Sequence, residues 1–459
     1  EMSRYKIAIL GGGPGGYVAA IRAAQLGAET VLIEAGELGG VCLNEGCIPT
    51  KTLLKSARVY QELLSSEKFG ISIDGEVRID WAAMQRRKDG VVGQLNSGVR
   101  GLLKQNGVEV VQGFGEVLDP HTIVVGGERI SADHLIIATG SSPAILPIPG
   151  LQEALESGAA VTSTEALTFK EVPQRLVIVG GGVVGMEFAA LFSSLGSQVT
   201  VLEKFTVLGS LDQDLQKYMQ RLLEKKGVEI HNGADIQRFA GSQVIAEING
   251  ETREFQGDAV LVSLGRRPNV QAVSRLGLEL ERGAIRTNER LETSIPGVYA
   301  IGDVNGKQML AHTASAEGLA AVENIMGGSA VINYDKIPAC IYTFPEVAMV
   351  GLTEQEAVRR GHKVAIGTFP LAANGRALAE DEPEGLVKIV ADEKYGEVLG
   401  VHIIAAQATD LISEAVLALE LESTVHELAN AVHPHPTFSE VVMEAAHALL
   451  GHAIHVFKR

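Results

Sequence analysis

A block of strand, glycine-rich turn, helix, strand and acid occurs twice in this chain, the second copy 169 residues after the first. Few architectures accommodate both copies. The first runs through Lys6-Ile7-Ala8-Ile9-Leu10, Gly11-Gly12-Gly13-Pro14-Gly15-Gly16 and a helical apolar pattern ending at Gly27, then Thr30-Val31-Leu32-Ile33 and Glu34. The second runs through Leu176-Val177-Ile178-Val179, Gly180-Gly181-Gly182-Val183-Val184-Gly185 and a helix ending at Gly196, then a strand closed by Glu203. In each copy the helix-ending glycine falls 16 residues, and the acid 23 residues, after the first glycine. This is the dinucleotide-binding fingerprint in the context it requires. Gly11 makes the tight turn, Gly13 lets the backbone approach a pyrophosphate, and Gly16 lets helix and strand pack closely. The helix N-terminus then offers free N–H groups to phosphates, and Glu34 is placed to accept from a ribose diol. Chance glycine turns would not repeat with both spacings kept.

The copies also end alike. Asp133 to Pro143, with Thr139-Gly140, matches Asp258 to Pro268, with Leu264-Gly265, as an apolar strand that breaks at a glycine. Between Glu34 and Asp133 the pattern predicts helices over about 53–64 and 81–105 and a hairpin-like region over 108–130. Gly115 there is either a backbone contact for a ligand or a simple turn. A later strand stops at Gly302-Asp303, where a carboxylate can hydrogen-bond a polyhydroxyl chain crossing the sheet. Met309-Leu310-Ala311-His312 opens a helix to about Met326. From residue 336 onward short strands precede helices, an α+β third domain. The expected class is α/β, with two Rossmann-like dinucleotide-binding domains and a C-terminal α+β domain. The expected bounds are 1–146 and 273–336 for the first domain, 147–272 for the second and 337–459 for the third.

Two of the three cysteines stand in Gly39-Gly40-Val41-Cys42-Leu43-Asn44-Glu45-Gly46-Cys47-Ile48-Pro49-Thr50-Lys51. A loop this short constrains the unfolded chain little, so a bond across it is a poor staple and a plausible redox device. Two buried thiols or half a metal site remain open, although zinc usually needs tighter spacing and a second ligand pair. So few cysteines in 459 residues point to a reducing cytosol. No apolar run is long enough to span a membrane, and the first strand begins too early for a signal peptide. A net charge of −17 disfavours nucleic acid and anionic membrane and permits a basic protein partner. Near the end, His433-Pro434-His435-Pro436-Thr437-Phe438-Ser439-Glu440 leads into a last helix that Thr437 or Ser439 can cap. His435, five residues before Glu440, could be an oriented base or a surface histidine at a capped helix start.

Taken together and in this order, these motifs resemble the flavoprotein disulfide reductases, the class I pyridine nucleotide-disulfide oxidoreductases, over the whole chain. Within that family the resemblance is to the branch that oxidises dihydrolipoamide. It implies FAD on the first block with Asp303, NAD on the second, and a C-terminal domain that forms a homodimer. Cys42 would exchange with the substrate disulfide and Cys47 would face the flavin as the charge-transfer thiolate. Lys51 would lie near the flavin N5 edge, paired with Glu187. Met309, Leu310, Ala311 and His312 would line the flavin. His435, supported by Glu440, would be the base and would reach the other subunit's site. Glu203 favours NAD, since an acid there would repel a 2′-phosphate. The end His455-Val456-Phe457-Lys458-Arg459 lacks the additional redox pair of mercuric reductase and the larger thioredoxin reductases. Pro434 replaces the family's usual alanine and predicts a stiffer loop. Thr50 replaces a frequent serine, and Val184 stands where glutathione reductase has a gating tyrosine. Cys340 is expected as a buried hydrophobe in a strand. The implied partners are a dihydrolipoyl domain of an acyltransferase or carrier protein and a basic subunit-binding domain. Reduction of another small disulfide by NADH is the alternative activity.

Overall fold

The structure, a computed structural model, describes residues 4–456. Glu1 to Ser3 and the cysteine-free end Phe457 to Arg459 lie outside them. The chain opens with β1 (Arg4–Leu10), α1 (Pro14–Gln25) and β2 (Thr30–Glu34). Ile7, Ala8 and Ile9 are all fully buried. Such a strand, covered on both faces, is apolar throughout instead of alternating. The cysteine segment forms α2 (Gly40–Asn44) and α3 (Cys47–Leu64), followed by α4 (Trp81–Gln105). Next come β3 (Glu109–Gln112), β4 (Gly115–Asp119), β5 (Thr122–Val125) and β6 (Glu128–Ile137). They complete a seven-stranded sheet in the order β3-β2-β1-β6-β5-β4, with Val298–Ala300 added in parallel on the last half of β6. The strand expected to run into Asp303 therefore ends at Ala300, and Gly302–Asn305 forms a 3₁₀ turn.

The second glycine block builds a separate parallel sheet from residues 160–161, 175–179, 198–203, 229–232 and 259–262. A three-stranded antiparallel meander over residues 235–256 flanks it. The third sheet is antiparallel, with five strands between residues 339 and 405, and the helices Ala408–Glu420 and Glu440–Leu449 pack on it.

One hydrophobic cluster joins the three units. Leu53 and Leu54 of α3 pack in the same cluster as Phe188 and Phe192 of the second sheet's helix and Ile341, Val347 and Ile404 of the third sheet. A buried ionic tie adds to it. Lys388, fully buried on the third sheet, donates to Asp212 at 2.9 Å, Asp214 at 2.6 Å and Glu354 at 2.5 Å. Asp212 is equally buried and also caps the helix Gln213–Lys225. Breaking one side of such a pair costs about 3–5 kcal/mol because the other charge is left buried. The tie holds the second sheet's unit against the third.

Candidate active site

Cys42 and Cys47 do not lie on an open loop. Cys42 is in the single turn of α2, and Cys47 is the first residue of α3, six residues before the helix start expected from the pattern. Pro49 permits this, since proline is tolerated in a helix's first turn, where its missing N–H has no helical partner. The segment is fixed against the first glycine turn. Gly39 donates its N–H to Gly12 at 2.8 Å, and a Cβ on Gly40 would lie 2.6 Å from the Cα of Gly13. Gly40 has φ +60 as well, so the close approach and the left-handed backbone both require glycine. Asn44 knots the turn, its Nδ2 donating to Leu38 at 3.0 Å and Gly40 at 2.9 Å, while Asn96 of α4 donates to Leu38 at 2.6 Å.

The thiols differ in acidity. Both are free and partly buried. The Cys42 thiol, hydrogen-bonded to Cys47 and desolvated, is pushed well above the ordinary range. Cys47 is lowered to about 7, first by the hydrogen bond from Cys42 and, against burial, by the Lys51 cation. Its place at a helix N-terminus works in the same direction. Lys51 is held by Glu187, Nζ to Oε2 at 2.7 Å, and lies 4.5 Å from the Tyr342 ring centroid. Glu187 accepts with its other oxygen from the Tyr342 N–H at 2.9 Å. Lys51→Met is expected to raise the Cys47 midpoint by about one unit, since a lost cation disfavours the thiolate. Titrating the reduced protein by ultraviolet thiolate absorbance would measure it. An unmoved midpoint would mean that Cys42 alone holds the thiolate.

The pair lines a continuous cavity of about 1880 Å³. Gly11, Gly13, Pro14, Gly15, Glu34 and Gly115 share its wall, as do Thr139, Gly140, Asp303 and the stretch from Met309 to His312. Lys51, Val183, Val184 and Glu187 complete the junction with the second unit. Val184 is 39% exposed there, an aliphatic side chain with no ring to swing. A volume of about 1880 Å³ exceeds that of an ordinary ligand pocket and leaves space for a dinucleotide with room beyond it. Helix α1 begins at it with no side-chain cap, and the helix Ala311–Ile325 does the same. Orphan N–H groups at such ends suit phosphate or an electron-rich ring. Gly115 is not a turn residue: it opens β4 on the cavity wall, and a Cβ there would lie 2.6 Å from the Leu10 side chain. His312 donates Nε2–H to Pro338 at 2.7 Å.

Gly16 lies beneath the turn, where a Cβ would meet the Gly11 carbonyl oxygen at 1.7 Å, and Gly185 sits likewise 2.0 Å from that of Gly180. Gly180, Gly182, Gly185, Glu203 and Gly265 lie outside the cavity, around the second turn. A Cβ on Gly182 would enter open space, and the helix it precedes has no side-chain cap. The two acids play the same part: Glu34 accepts from Gly12 and Gly36, both at 2.6 Å, and Glu203 from Gly181 at 2.7 Å and Phe205 at 2.9 Å. Each carboxylate thus braces its glycine turn and retains lone pairs for a ribose diol. Arg266, in the stretch after Leu264-Gly265 whose position resembles the family's nicotinamide side, clamps Asp303. It donates to the Ser141 hydroxyl and carbonyl, each at 2.7 Å, and Ser141 donates to Asp303 at 2.5 Å. Arg267 is exposed.

His435 and Glu440 do not line the cavity. Their side chains meet at 2.8 Å, Nδ1 to Oε1, and the His435 ring is 77% exposed. Burial works against the Glu440 charge, but the Thr437 N–H at 2.8 Å and His435 hold its carboxyl below the usual range. Neither Thr437 nor Ser439 caps the last helix through its side chain, contrary to expectation. The Thr437 hydroxyl is spent on the Pro434 carbonyl at 2.7 Å, and Glu440 reaches back to the Thr437 N–H instead. Cys340 is partly buried in its strand, and burial pushes its thiol up to about 11. It lines the cavity but stays protonated at neutral pH.

A pyridine nucleotide-disulphide oxidoreductase model matches residues 5–318, and the dimerisation-domain model of the same family matches residues 337–446. Dihydrolipoyl dehydrogenase from Thermus scotoductus is 44% identical over the full length of both chains. That from Bacillus subtilis is 43% identical over 99% of each. The mitochondrial enzyme of Pisum sativum is 42% identical over 98% of this chain and 92% of its own. Among solved structures, the HOCl-induced flavoprotein disulfide reductase RclA from Escherichia coli superposes with a TM-score of 0.85 at 27% identity, covering 96% of this chain and 99% of its own.

Proposed function

The chain belongs to the pyridine nucleotide-disulphide oxidoreductase family, and from that membership and its thiol pair we propose that it oxidises dihydrolipoyl groups to the cyclic disulfide and reduces NAD+ to NADH. It is an FAD-dependent, NAD-linked dithiol oxidoreductase. Bound FAD supplies the two-electron carrier between the thiols and NAD, the final hydride acceptor. Cavity and uncapped helix ends fit these groups: the first glycine turn, Glu34 and Asp303 would hold FAD, and the second turn with Glu203 would hold NAD.

The chain's own groups divide the work. Nδ1 of His435 donates to Glu440, which leaves Nε2 to take a proton from the substrate dithiol. The resulting thiolate attacks Cys42 of the oxidised pair. The Cys42–Cys47 bond breaks, and the electron pair goes to Cys47. The second substrate thiol then attacks the mixed disulfide, its proton passing to the departing Cys42 sulfur, which closes the lipoyl disulfide and leaves a Cys42 thiol beside a Cys47 thiolate. Cys47 suits the leaving role because a more acidic thiol leaves faster. The observation that carries this assignment is two hydrogen-bonded cysteines on one cavity wall, with the Lys51–Glu187 pair close enough to Cys47 to act on its charge.

An exposed His435 outside the cavity fits a homodimer in which each subunit supplies the base to its partner. Val432 is 97% exposed, Leu417 of the helix Ala408–Glu420 is 59% exposed and Leu421, just past its end, is 69% exposed, which favours a face covered by a second copy. The domain bounds proposed are 1–146 with 273–336 for FAD, 147–272 for NAD and 337–459 for the dimer interface. The reducing partner would be a dihydrolipoyl domain of an acyltransferase or carrier protein, with the acidic surface receiving a basic subunit-binding domain. No helix of the described residues is long and apolar enough to cross a membrane, and a cytoplasmic site is proposed. The FAD-loaded protein should form NADH rapidly from dihydrolipoamide and NAD+, and far less with NADP+. Turnover of oxidised glutathione with NADPH in its place would refute the assignment.

A further inference from the structure

Two residues before the proposed base, His433 makes contacts of an unusual kind. Its side chain is 7% exposed. Nδ1 lies 2.8 Å from the Ala431 carbonyl oxygen, and Nε2 lies 2.6 Å from Oε1 of Glu414 on the helix Ala408–Glu420. Both neighbours are acceptors, so both ring nitrogens must donate, and an imidazole with two N–H groups is a cation. A neutral ring would leave one close pair without a proton. The charged groups facing it are Glu414 from the helix Ala408–Glu420 and Glu440 from the start of the helix Glu440–Leu449.

We propose that His433 is a positioning residue for the dithiol reaction. Held as an imidazolium by Glu414, it pins the 431–439 loop to the helix Ala408–Glu420 and places a fixed positive charge beside the His435–Glu440 pair. The charge keeps the Glu440 carboxylate ionised, a contribution that the lowered carboxyl of Glu440 already contains, and so preserves the acceptor that orients the His435 ring. Salt bridge and clamp coincide in one residue, since Glu414 belongs to the helix that presents exposed Leu417 and ends at exposed Leu421. The inference rests on the dithiol oxidation proposed above.

His433→Gln removes the charge and keeps one donor, whereas Glu414→Gln keeps the ring and removes the carboxylate that holds it charged. In both, the acid limb of kcat/KM for dihydrolipoamide is expected to move upward by about half a pH unit or more, because the Glu440 carboxyl then keeps its proton to higher pH and no longer holds the His435 ring as a charged acceptor. The rate at pH 7 should fall about threefold to tenfold, mostly in kcat, while bleaching of bound FAD by NADH, which does not use this loop, stays at the wild-type rate. A reduced rate with the acid limb unmoved in both variants would overturn the inference and leave a purely structural loop contact. If His433→Gln fails to fold, Glu414→Gln decides. Nitrogen-15 NMR of the histidine rings provides a readout independent of turnover: the wild type should show one doubly protonated ring at neutral pH that His433→Gln lacks, and its absence would also overturn the inference. Failure of the wild type itself to oxidise dihydrolipoamide would count against the proposed reaction and not against the ring's charge.

Discussion

Cys47→Ser is expected to abolish oxidation of dihydrolipoamide, a loss of about 10,000-fold or more, the size seen when a covalent participant is removed. The reason is specific to this position. Cys47 receives the electron pair when the disulfide opens, and a serine cannot form that disulfide at all. Its neighbours are arranged for a sulfur anion: the thiol of Cys42, the first turn of α3 and the Lys51 cation all lower it to about 7. The nucleotide half should survive. NADH should still bleach FAD bound to the variant, because the glycine turns, Glu34 and Glu203 are untouched. Stopped-flow absorbance separates the two halves. Residual dihydrolipoamide turnover within about tenfold of wild type would show that electrons reach the flavin without this pair.

His435→Gln is expected to lower kcat/KM for dihydrolipoamide by about 1,000-fold, within the range for loss of a general base. The pH profile should change in a defined direction. With His435 present, a base takes the proton and the rate does not wait for the substrate thiol to ionise unaided. Without it, the substrate thiol must ionise unaided, so the rate should keep climbing toward about pH 8.5, where free thiols titrate. Glu440→Gln should be milder, since it keeps an acceptor for the ring but loses the charge that accepts from Thr437 and His435. A His435→Gln profile parallel to that of wild type would place the proton acceptor elsewhere.

The period of the glycine blocks made the two dinucleotide units legible, because turn, helix and strand there are set by local spacing. The helix Trp81–Gln105 was legible for the same reason: its apolar positions recur regularly and Asp80 caps it. The start of α3 was less so. An apolar pattern first asserts itself at Leu53, whereas the helix begins six residues earlier at a position set by contact with the glycine turn. Least legible were partnerships between distant residues. Arg266 reaches Ser141 across 125 positions, and Asn96 reaches Leu38 across 58. Neither carries a motif, since each depends on how units pack. His433 stood in plain view inside a recognised stretch, but its partner Glu414 sits on another helix, and only the contact gives the ring a role.

The most direct test of the thiol-pair mechanism is a thiol count made during turnover, not a rate. The oxidised, FAD-loaded protein is mixed anaerobically with one equivalent of dihydrolipoamide, quenched with an alkylating reagent and digested. The account predicts that Cys42 and Cys47 become alkylated together, one pair per lipoyl disulfide formed, and that Cys340 stays at its starting level. Lipoyl disulfide formed without new thiols at Cys42 and Cys47, with NAD+ absent, would contradict it.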